Sequence, residues 1–502
     1  MRLSSTLLPL FRFLLPPTLI ALTYVYLYPF LQQCSFALAK RAETVCHFDG
    51  SDPTAAAPAE IAPFRLLAFA DPQLEGDTSL PDPQAAWLPS LARVGEVGVM
   101  RTVEGVVRRD VLGLLQGYRK KLDLWGNDLY LAHVYRMVNW WAQPTHTVVL
   151  GDLLGSQWVG DEEFSRRTSR FWTRVFSGGA KVPRNVTDVS SRIEVLGQDN
   201  AWRKRMIAVA GNHDIGYAGD INEHRIERFE SAFGSVNWEI RFRLPNDTQQ
   251  ASSSFSNLLQ TTPPTLHLIV LNSMNLDAPA YNPELQQQSL DFLDAQLHPS
   301  NHPRNSGTVI LTHVPLHKKQ GVCVDAPYFS YFPENQGGGI REQNHLSPEI
   351  SARILDRLAP GGSEGGMAIV LNGHDHEGCD TIHQRDYSKD DEGSGEGSWD
   401  ASRFDSAKLR GTHGGDAGLR EITVRSMMGS YGRNAGLLSG WFDAEAGKWR
   451  FEYETCMFGV QHFWWAAHVL ALVEVGLGLG GLGYLLRESW SNGARARKLK
   501  EA

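Results

Sequence analysis

Five short stretches, in a fixed order along the chain, carry side chains able to ligate metal ions. They are Ala70-Asp71-Pro72-Gln73, Gly151-Asp152, Gly211-Asn212-His213-Asp214, Thr312-His313 and Gly373-His374-Asp375-His376. Asp71, Asp152, Asn212, His313, His374 and His376 offer hard oxygens and borderline imidazole nitrogens with no thiolate among them, a set that suits Mn, Zn or Fe. One Asp carboxylate can bridge two ions. Two ions roughly 3.5–4 Å apart can activate a water and clamp the attacking and leaving oxygens of a phosphoryl displacement. In His374-x-His376 the side chains at i and i+2 of an extended backbone point the same way, one towards each ion.

Each stretch follows an apolar run that reads as a buried strand: Leu66–Ala70, Thr147–Leu150, Met206–Ala210, Val309–Leu311 and Met367–Leu371. Ligands at the carboxyl ends of successive strands converge in space at the edge of an α/β sheet. Asn127–Trp141 has helical spacing of Leu131, Val134, Tyr135 and Val138 before Pro144 breaks it. Pro283–Leu297 likewise reads as a helix with Leu285, Leu290, Leu293 and Leu297 on one side, joining the strand Leu266–Leu271 to the one before His313. The expected fold is α/β, with two facing mixed β-sheets flanked by helices as a four-layer sandwich and the metals at one end. A lone Gly-Asn-His-Asp reads as a turn. Five such pieces in order, each after an apolar run, read as a metal site. His146, His267, His317 and His345 fall outside the pattern and are expected as structural residues, although His317, soon after His313, is close enough in sequence to line a cleft.

The ordered set resembles the calcineurin-like metallophosphoesterase superfamily, whose pattern is D-x-H, G-D, G-N-H-D/E, H and G-H-x-H, over Phe64 to Cys456. The resemblance implies that Asp71, Asp152 and His376 hold a first metal. Asp152 would bridge to a second, held by Asn212, His313 and His374. His213 would stabilise charge on the phosphate or protonate the leaving oxygen, oriented by Asp214. Gln73 stands where the superfamily usually has His; its amide oxygen is a weaker ligand than imidazole, which implies a looser first site or a preference for Mn. The wording A-D-P-Q, G-H-D-H-E-G-C-D and S-M-M-G-S-Y-G (Ser426–Gly432) is similar to a fungal subgroup of membrane-bound secretory-pathway enzymes. These remove ethanolamine phosphate from a mannose of the glycosylphosphatidylinositol (GPI) anchor glycan. The implied function is a two-metal phosphodiesterase acting on that glycan, on lipid or protein, and supporting exit of GPI-anchored proteins from the endoplasmic reticulum (ER). The alternatives are a phosphoesterase for another lipid or phosphate substrate, or a non-catalytic membrane cargo adaptor on the same fold.

The chain ends bear on where this chemistry happens. Residues 1–40 read as a membrane anchor, apolar from Phe13 to Leu31, or as a signal peptide cleaved near Ala37-Leu38-Ala39. A second span is expected over Phe463–Leu486, with Phe463, Trp464 and Trp465 as an interfacial belt and with His468 and Glu474 inside it. The basic tail, residues 487–502, ends in Lys498-Leu499-Lys500-Glu501-Ala502, which resembles a dilysine signal read by the retrieval coat. This topology puts the middle of the chain in the ER lumen, with cycling to the Golgi. Asn185-Val186-Thr187 and Asn246-Asp247-Thr248 are glycosylation acceptors. Disulfides are permitted there, and Cys46–Cys456 with Cys323–Cys379 is one of three connectivities open to the four lumenal cysteines.

Residues 64–457 are expected as one large domain, preceded by a linker over residues 41–63 and interrupted by a disordered insertion at about 389–418, rich in Gly, Ser and Asp. The net charge of −8, with no basic stripe outside the tail, argues against nucleic acid.

Overall fold

The computed structural model describes residues 4–32, 34, 36, 61–76, 80, 87–245, 263–323, 326–359, 366–386, 398–404, 418–429 and 432–498. Two units separate. One comprises Met1–Cys34 with Met457–Ala502, the other Ser35–Cys456.

The larger unit holds two mixed sheets. The first contains β1 (Phe64–Phe69), β2 (His146–Leu150), β3 (Ala180–Lys181), β5 (Arg205–Val209), β15 (Asn434–Asp443) and β16 (Lys448–Met457), in the order β16-β15-β1-β2-β5-β3. The second contains β4 (Ile193–Val195), β6 (Trp238–Arg243), β7 (Thr265–Val270), β8 (Ser306–Leu311), β11 (Met367–Asn372), β12 (Cys379–Asp386), β13 (Ser398–Arg403) and β14 (Leu419–Thr423), in the order β13-β12-β14-β11-β8-β7-β6-β4. A separate hairpin pairs β9 (Phe329–Tyr331) with β10 (Ile340–Gln343). β1, β2 and β5 run parallel, as do β7, β8, β11 and β14, so their carboxyl ends share an edge within each sheet.

The apolar runs are continuous because each strand is covered on both faces. Phe64, Leu66 and Ala68 of β1 join Val148, Ile207, Leu268, Val309, Ile369 and Ile422 in one core between the sheets. The alternate residue Phe69 faces outward against Tyr135 (6.0 Å) and Phe176 (5.8 Å) of the helical layer. This is the expected four-layer arrangement. The helix expected over Asn127–Trp141 is longer, Leu112–Ala142. It ends at Gln143 in the left-handed conformation just before Pro144. The helix Pro283–Gln296 begins where Asn282 caps it, the side-chain oxygen accepting from Glu284 N (3.1 Å) and Leu285 N (3.2 Å).

Two expectations are revised. Ser398–Arg403, inside the stretch expected to be disordered, is an edge strand paired to β12; most of that stretch, like Asn246-Asp247-Thr248 and most of the expected linker, lies outside the described residues. Cys323 and Cys379 form the expected disulfide. However, Cys34, left out of the expected pairing, is also disulfide-bonded, as is Cys456, while Cys46 lies outside the described residues.

In the smaller unit the helices Ser4–Tyr26 and Gln461–Lys498 contain stretches long and apolar enough to cross a membrane, Thr6–Tyr26 and Gln461–Asn492. Gly478 and Gly481 leave room for Phe11 and Leu8 of the first helix, the small-residue packing that brings apolar helices close. Glu474 is buried here, and its carboxylate oxygens have no hydrogen-bond partner among the described residues.

Candidate active site

All five stretches lie just past the carboxyl ends of β1, β2, β5, β8 and β11 and meet at one place. The turns that present them are not relaxed. Asp71, Gln73, Asp152 and His374 all have positive φ, between 39° and 73°, in the left-handed region that costs a non-glycine residue energy and recurs at functional sites. Gly151 also has positive φ (81°), and a Cβ there would collide with the His313 ring. At Gly211 a Cβ would collide with the Asp152 backbone and carboxylate. Glycine is therefore required before both residues to let the first-sheet turns approach the ligands.

Asp71, Asp152 and His313 are buried, and one ligand atom from each lies within 4.8 Å of the others. The tautomers of two histidines follow from their backbone partners. Leu150 O lies 2.9 Å from His313 Nδ1, so that nitrogen donates and Nε2 is left as a lone pair. Gln343 O lies 2.8 Å from His374 Nε2, so Nδ1 is the lone pair there. Both lone pairs lie 3.1 Å from Asn212 Oδ1, and His313 Nε2 lies 3.4 Å from Asp152 Oδ1. Acceptors converging without a proton between them fit a cation, and backbone carbonyls behind the imidazoles are the usual outer support of such ligands. Burial holds both imidazoles neutral: His313 is pushed below its ordinary value and His374 down to about 3. Burial and the neighbouring Asp152 push Asp71 well up. Asp152 itself is held down, despite burial, where its carboxylate accepts the His213 backbone N–H. The donor set thus fits a divalent ion on Asp152, Asn212, His313 and His374.

The other half of the site differs from expectation at one residue. His376 Nε2 stands 4.0 Å from Asp71 Oδ1. Gln73 presents its amide nitrogen, not its oxygen, donating to Asp152 Oδ2 (3.0 Å) and lying 3.2 Å from His376 Nε2. Gln73 therefore bridges two of the three ligands expected for the first ion rather than acting as a further one. Asp214 also departs from its expected contact. Its carboxylate accepts from the backbone N–H groups of Gly211 (2.9 Å), Leu153 (3.2 Å) and Leu154 (3.0 Å), tying the Asp152 and Asn212 turns together. It makes no hydrogen bond to the His213 ring. Burial and the Asp152 charge push Asp214 up to about 8. His213 is anchored through its backbone N–H to Asp152 Oδ1 (2.8 Å). Its ring is 34% exposed, with Nε2 3.7 Å from Asp152 Oδ2.

Several supporting residues lie outside the expected ligand and catalytic set. Ser426, in the quoted S-M-M-G-S-Y-G run, donates from its hydroxyl to Asp71 O (3.1 Å) and from its backbone N–H to His376 O (3.1 Å). Buried Glu421 accepts from Leu316 N (2.7 Å), Asn372 Nδ2 (2.7 Å) and Lys318 Nζ (2.8 Å), with His383 Nε2 at 2.7 Å. It thereby joins the turn after His313 to the strand end before His374. Of the histidines outside the pattern, His146, His267 and His345 are buried and His317 is half-buried. His146 lies among Phe64, Trp202 and Phe242, and His267 pairs with Glu239 at 2.9 Å. His345 stacks on Tyr328 (5.2 Å), and His317 stands edge-on to both.

No family model matches the chain. The curated relatives are more informative. Protein TED1 of Saccharomyces cerevisiae is 31% identical over 407 residues, 71% of this chain and 77% of that protein. Metallophosphoesterase 1 of Cricetulus griseus is 23% identical over 279 residues, 54% of this chain and 60% of that protein. An uncharacterised Schizosaccharomyces pombe protein is 30% identical over 305 residues, 56% of this chain and 61% of that protein. With its two sheets and its buried Asp-Asp-His group, the chain belongs to the calcineurin-like metallophosphoesterases and is a metal-dependent phosphoesterase.

Proposed function

We propose that this phosphoesterase is a phosphodiesterase of the ER lumen that removes ethanolamine phosphate from a mannose of the GPI anchor glycan. The observation that carries a catalytic reading is the disposition of His213. It sits beside the buried ligand set with its ring partly open to solvent, where a reacting phosphate would lie. A purely binding module has no use for an imidazole there.

Asp71, Asp152 and His376 would hold one divalent ion, and Asp152, Asn212, His313 and His374 the other, with Mn as the expected metal. Bound there, the ions supply activation of water and neutralisation of charge on the transferred phosphoryl group. The chain supplies the rest. Asp214 and Ser426 lock the turns. Gln343 and Leu150 carbonyls fix the imidazole faces. His213 Nε2 holds a proton for the departing sugar oxygen. Support for the substrate is the sequence likeness to the GPI-trimming subgroup, and two membrane-spanning helices would keep enzyme and lipid-borne glycan on one surface. The basic tail beyond residue 498, with its dilysine-like ending, lies outside the described residues and supports ER retrieval through the coat.

The test is release of ethanolamine phosphate from purified anchor glycolipid by detergent-solubilised protein with Mn, beside His213→Ala. Release by the wild type alone is the expected result. Cleavage of an aryl phosphodiester without release from the glycolipid would remove the substrate and leave the chemistry standing. For location, Asn185 is exposed, so a glycosidase-sensitive mass shift lost in Asn185→Gln is expected; a chain unshifted in cells would count against the lumenal assignment.

A further inference from the structure

The helical segment ahead of the Asp152 strand carries an apolar face that the fold does not cover. Val99–Gly105, a wide turn at Val106–Val111 and Leu112–Ala142 follow one another without a break. The C-terminal third is buried against the first sheet, through residues such as Leu131, Val134 and Val138. The preceding two-thirds is different. Met100, Val103, Val107, Val111, Leu115, Tyr118 and Leu122 are each at least 40% exposed. Their spacing is three or four residues throughout, the mark of a single helical face. Three consecutive four-residue steps, Val103 to Val107 to Val111 to Leu115, would drift about 40° each around an ideal α-helix. The turn at Val106–Val111 is wound more widely than an α-helix, which reduces that drift.

We propose that this stripe lies on the surface of a lipid bilayer, as an amphipathic helix in the headgroup layer. Three observations favour lipid as the occupant. First, Val99–Trp125 carries Arg101, Arg108, Arg109, Arg119, Lys120 and Lys121 against Glu104, Asp110 and Asp123, a local surplus of three positive charges in a chain of net charge −8. A basic helix with an exposed apolar stripe is the composition that anionic headgroups attract, with Arg stems lying along the apolar edge. Second, the far end of the helix is tied to the chain where it leaves its N-terminal apolar segment. Trp141 stacks on Phe36 at 5.0 Å, and Phe36 follows the end of the helix Tyr28–Leu31 by five residues. Third, the chain carries two helices of spanning length. A bilayer is therefore a surface to which the chain would be tethered. A second copy of the chain would instead set the same basic surplus against itself. The inference does not depend on which phosphoester is cleaved.

The test uses full-length protein in nanodiscs of phosphatidylcholine and phosphatidylinositol doped with a phospholipid bearing a diazirine at the tail end. After illumination, lipid adducts are mapped by peptide mass spectrometry. Adducts are expected on peptides within Val99–Trp125 as well as on the two terminal helices. The variant Val103→Glu/Val107→Glu/Leu115→Glu should lose the former and keep the latter, with aryl phosphodiester turnover showing that it folds. Adducts confined to the terminal helices of the wild type would overturn the proposal, whatever the variant does. So would chain-to-chain cross-links joining two copies of the stripe in place of lipid adducts. The adduct map reads no turnover, so it stands or falls apart from the substrate assignment.

Discussion

His213, expected beside the metals, and Gln73, expected as a ligand but found as an amide donor, each make a separable prediction. Because the His213 ring lies at the edge of the ligand set with its Nε2 3.7 Å from Asp152, His213→Ala should leave bound metal unchanged. Turnover of an aryl phosphodiester should fall by ~10²–10⁴, the usual worth of a positioned proton donor. Loss of metal along with turnover would make His213 a ligand instead. Gln73 donates its amide to Asp152 and His376, so it competes with the ion those residues would hold. Gln73→His should tighten the more weakly held metal equivalent by about tenfold, ~1.4 kcal/mol, read by metal titration. An unchanged or weaker affinity would mean that the amide bridge is itself the support the site needs. The ligands themselves were legible because their chemistry resides in residue type: Asp152, Asn212, His313 and His374 do converge. The supports were not. Asp214 was marked by its motif but not in its role, because it acts on backbone N–H groups; Gln343 and Leu150 act through carbonyls that every residue possesses, so no pattern of types could mark them.

At the scale of elements, Glu421 on β14 holds the ligand-bearing ends of β8 and β11 in register. Burial would raise its carboxyl, but the Lys318 ammonium and the His383 contact hold it well below the usual carboxylate range. Removing one member of such a buried pair leaves the other charge unmatched, at a cost of about 3–5 kcal/mol. Glu421→Ala should therefore lower the thermal midpoint markedly and release metal more readily, whereas the double variant Lys318→Met/Glu421→Gln should recover much of the stability. If the double variant is as unstable as the single, the network matters for its hydrogen bonds to Leu316 and Asn372 rather than for its charge. The strands were legible because ligands follow apolar runs and because strands covered on both faces read as unbroken apolar stretches. The edge strand Ser398–Arg403 was hidden, since its sequence (Ser-Trp-Asp-Ala-Ser-Arg) sits in a Gly- and Asp-rich setting and its order comes from pairing with β12. The first half of the long helix was hidden for a different reason. Its apolar residues face outward and join no core, so nothing in the fold pattern required a helix there.

Across the whole larger unit, the apolar core has enclosed imidazoles that the chemistry does not use, and they set how the fold responds to acid. Burial pushes His146 down to about 3, His302 to about 4 and His345 to about 3, so all are neutral in the folded chain near neutral pH. In the unfolded chain they titrate near 6.5. A folded value below the unfolded one means that the unfolded state binds protons first as pH falls. Stability is therefore fully present above about 6.5 and is lost progressively from there down towards 3. Each group contributes a loss of about 1.4 kcal/mol for every pH unit that separates its folded value from its unfolded one. The thermal midpoint of the full-length protein should be flat above pH 7 and fall steeply below 6. His146 is the cleanest probe. Rings of Phe64, Trp202 and Phe242 surround it at 4.9–5.1 Å, and its Nε2 has no hydrogen-bond partner among the described residues. Phenylalanine keeps an aromatic ring among these partners and carries no proton, but it is larger and gives up the contact between His146 Nδ1 and Thr145 Oγ1 (2.9 Å). Whatever its stability at pH 7.5, His146→Phe should lose less of it than the wild type between pH 6 and 4. An acid limb identical to that of the wild type would show that the loss comes from other groups, such as the Glu421 carboxylate that Lys318 and His383 hold ionised.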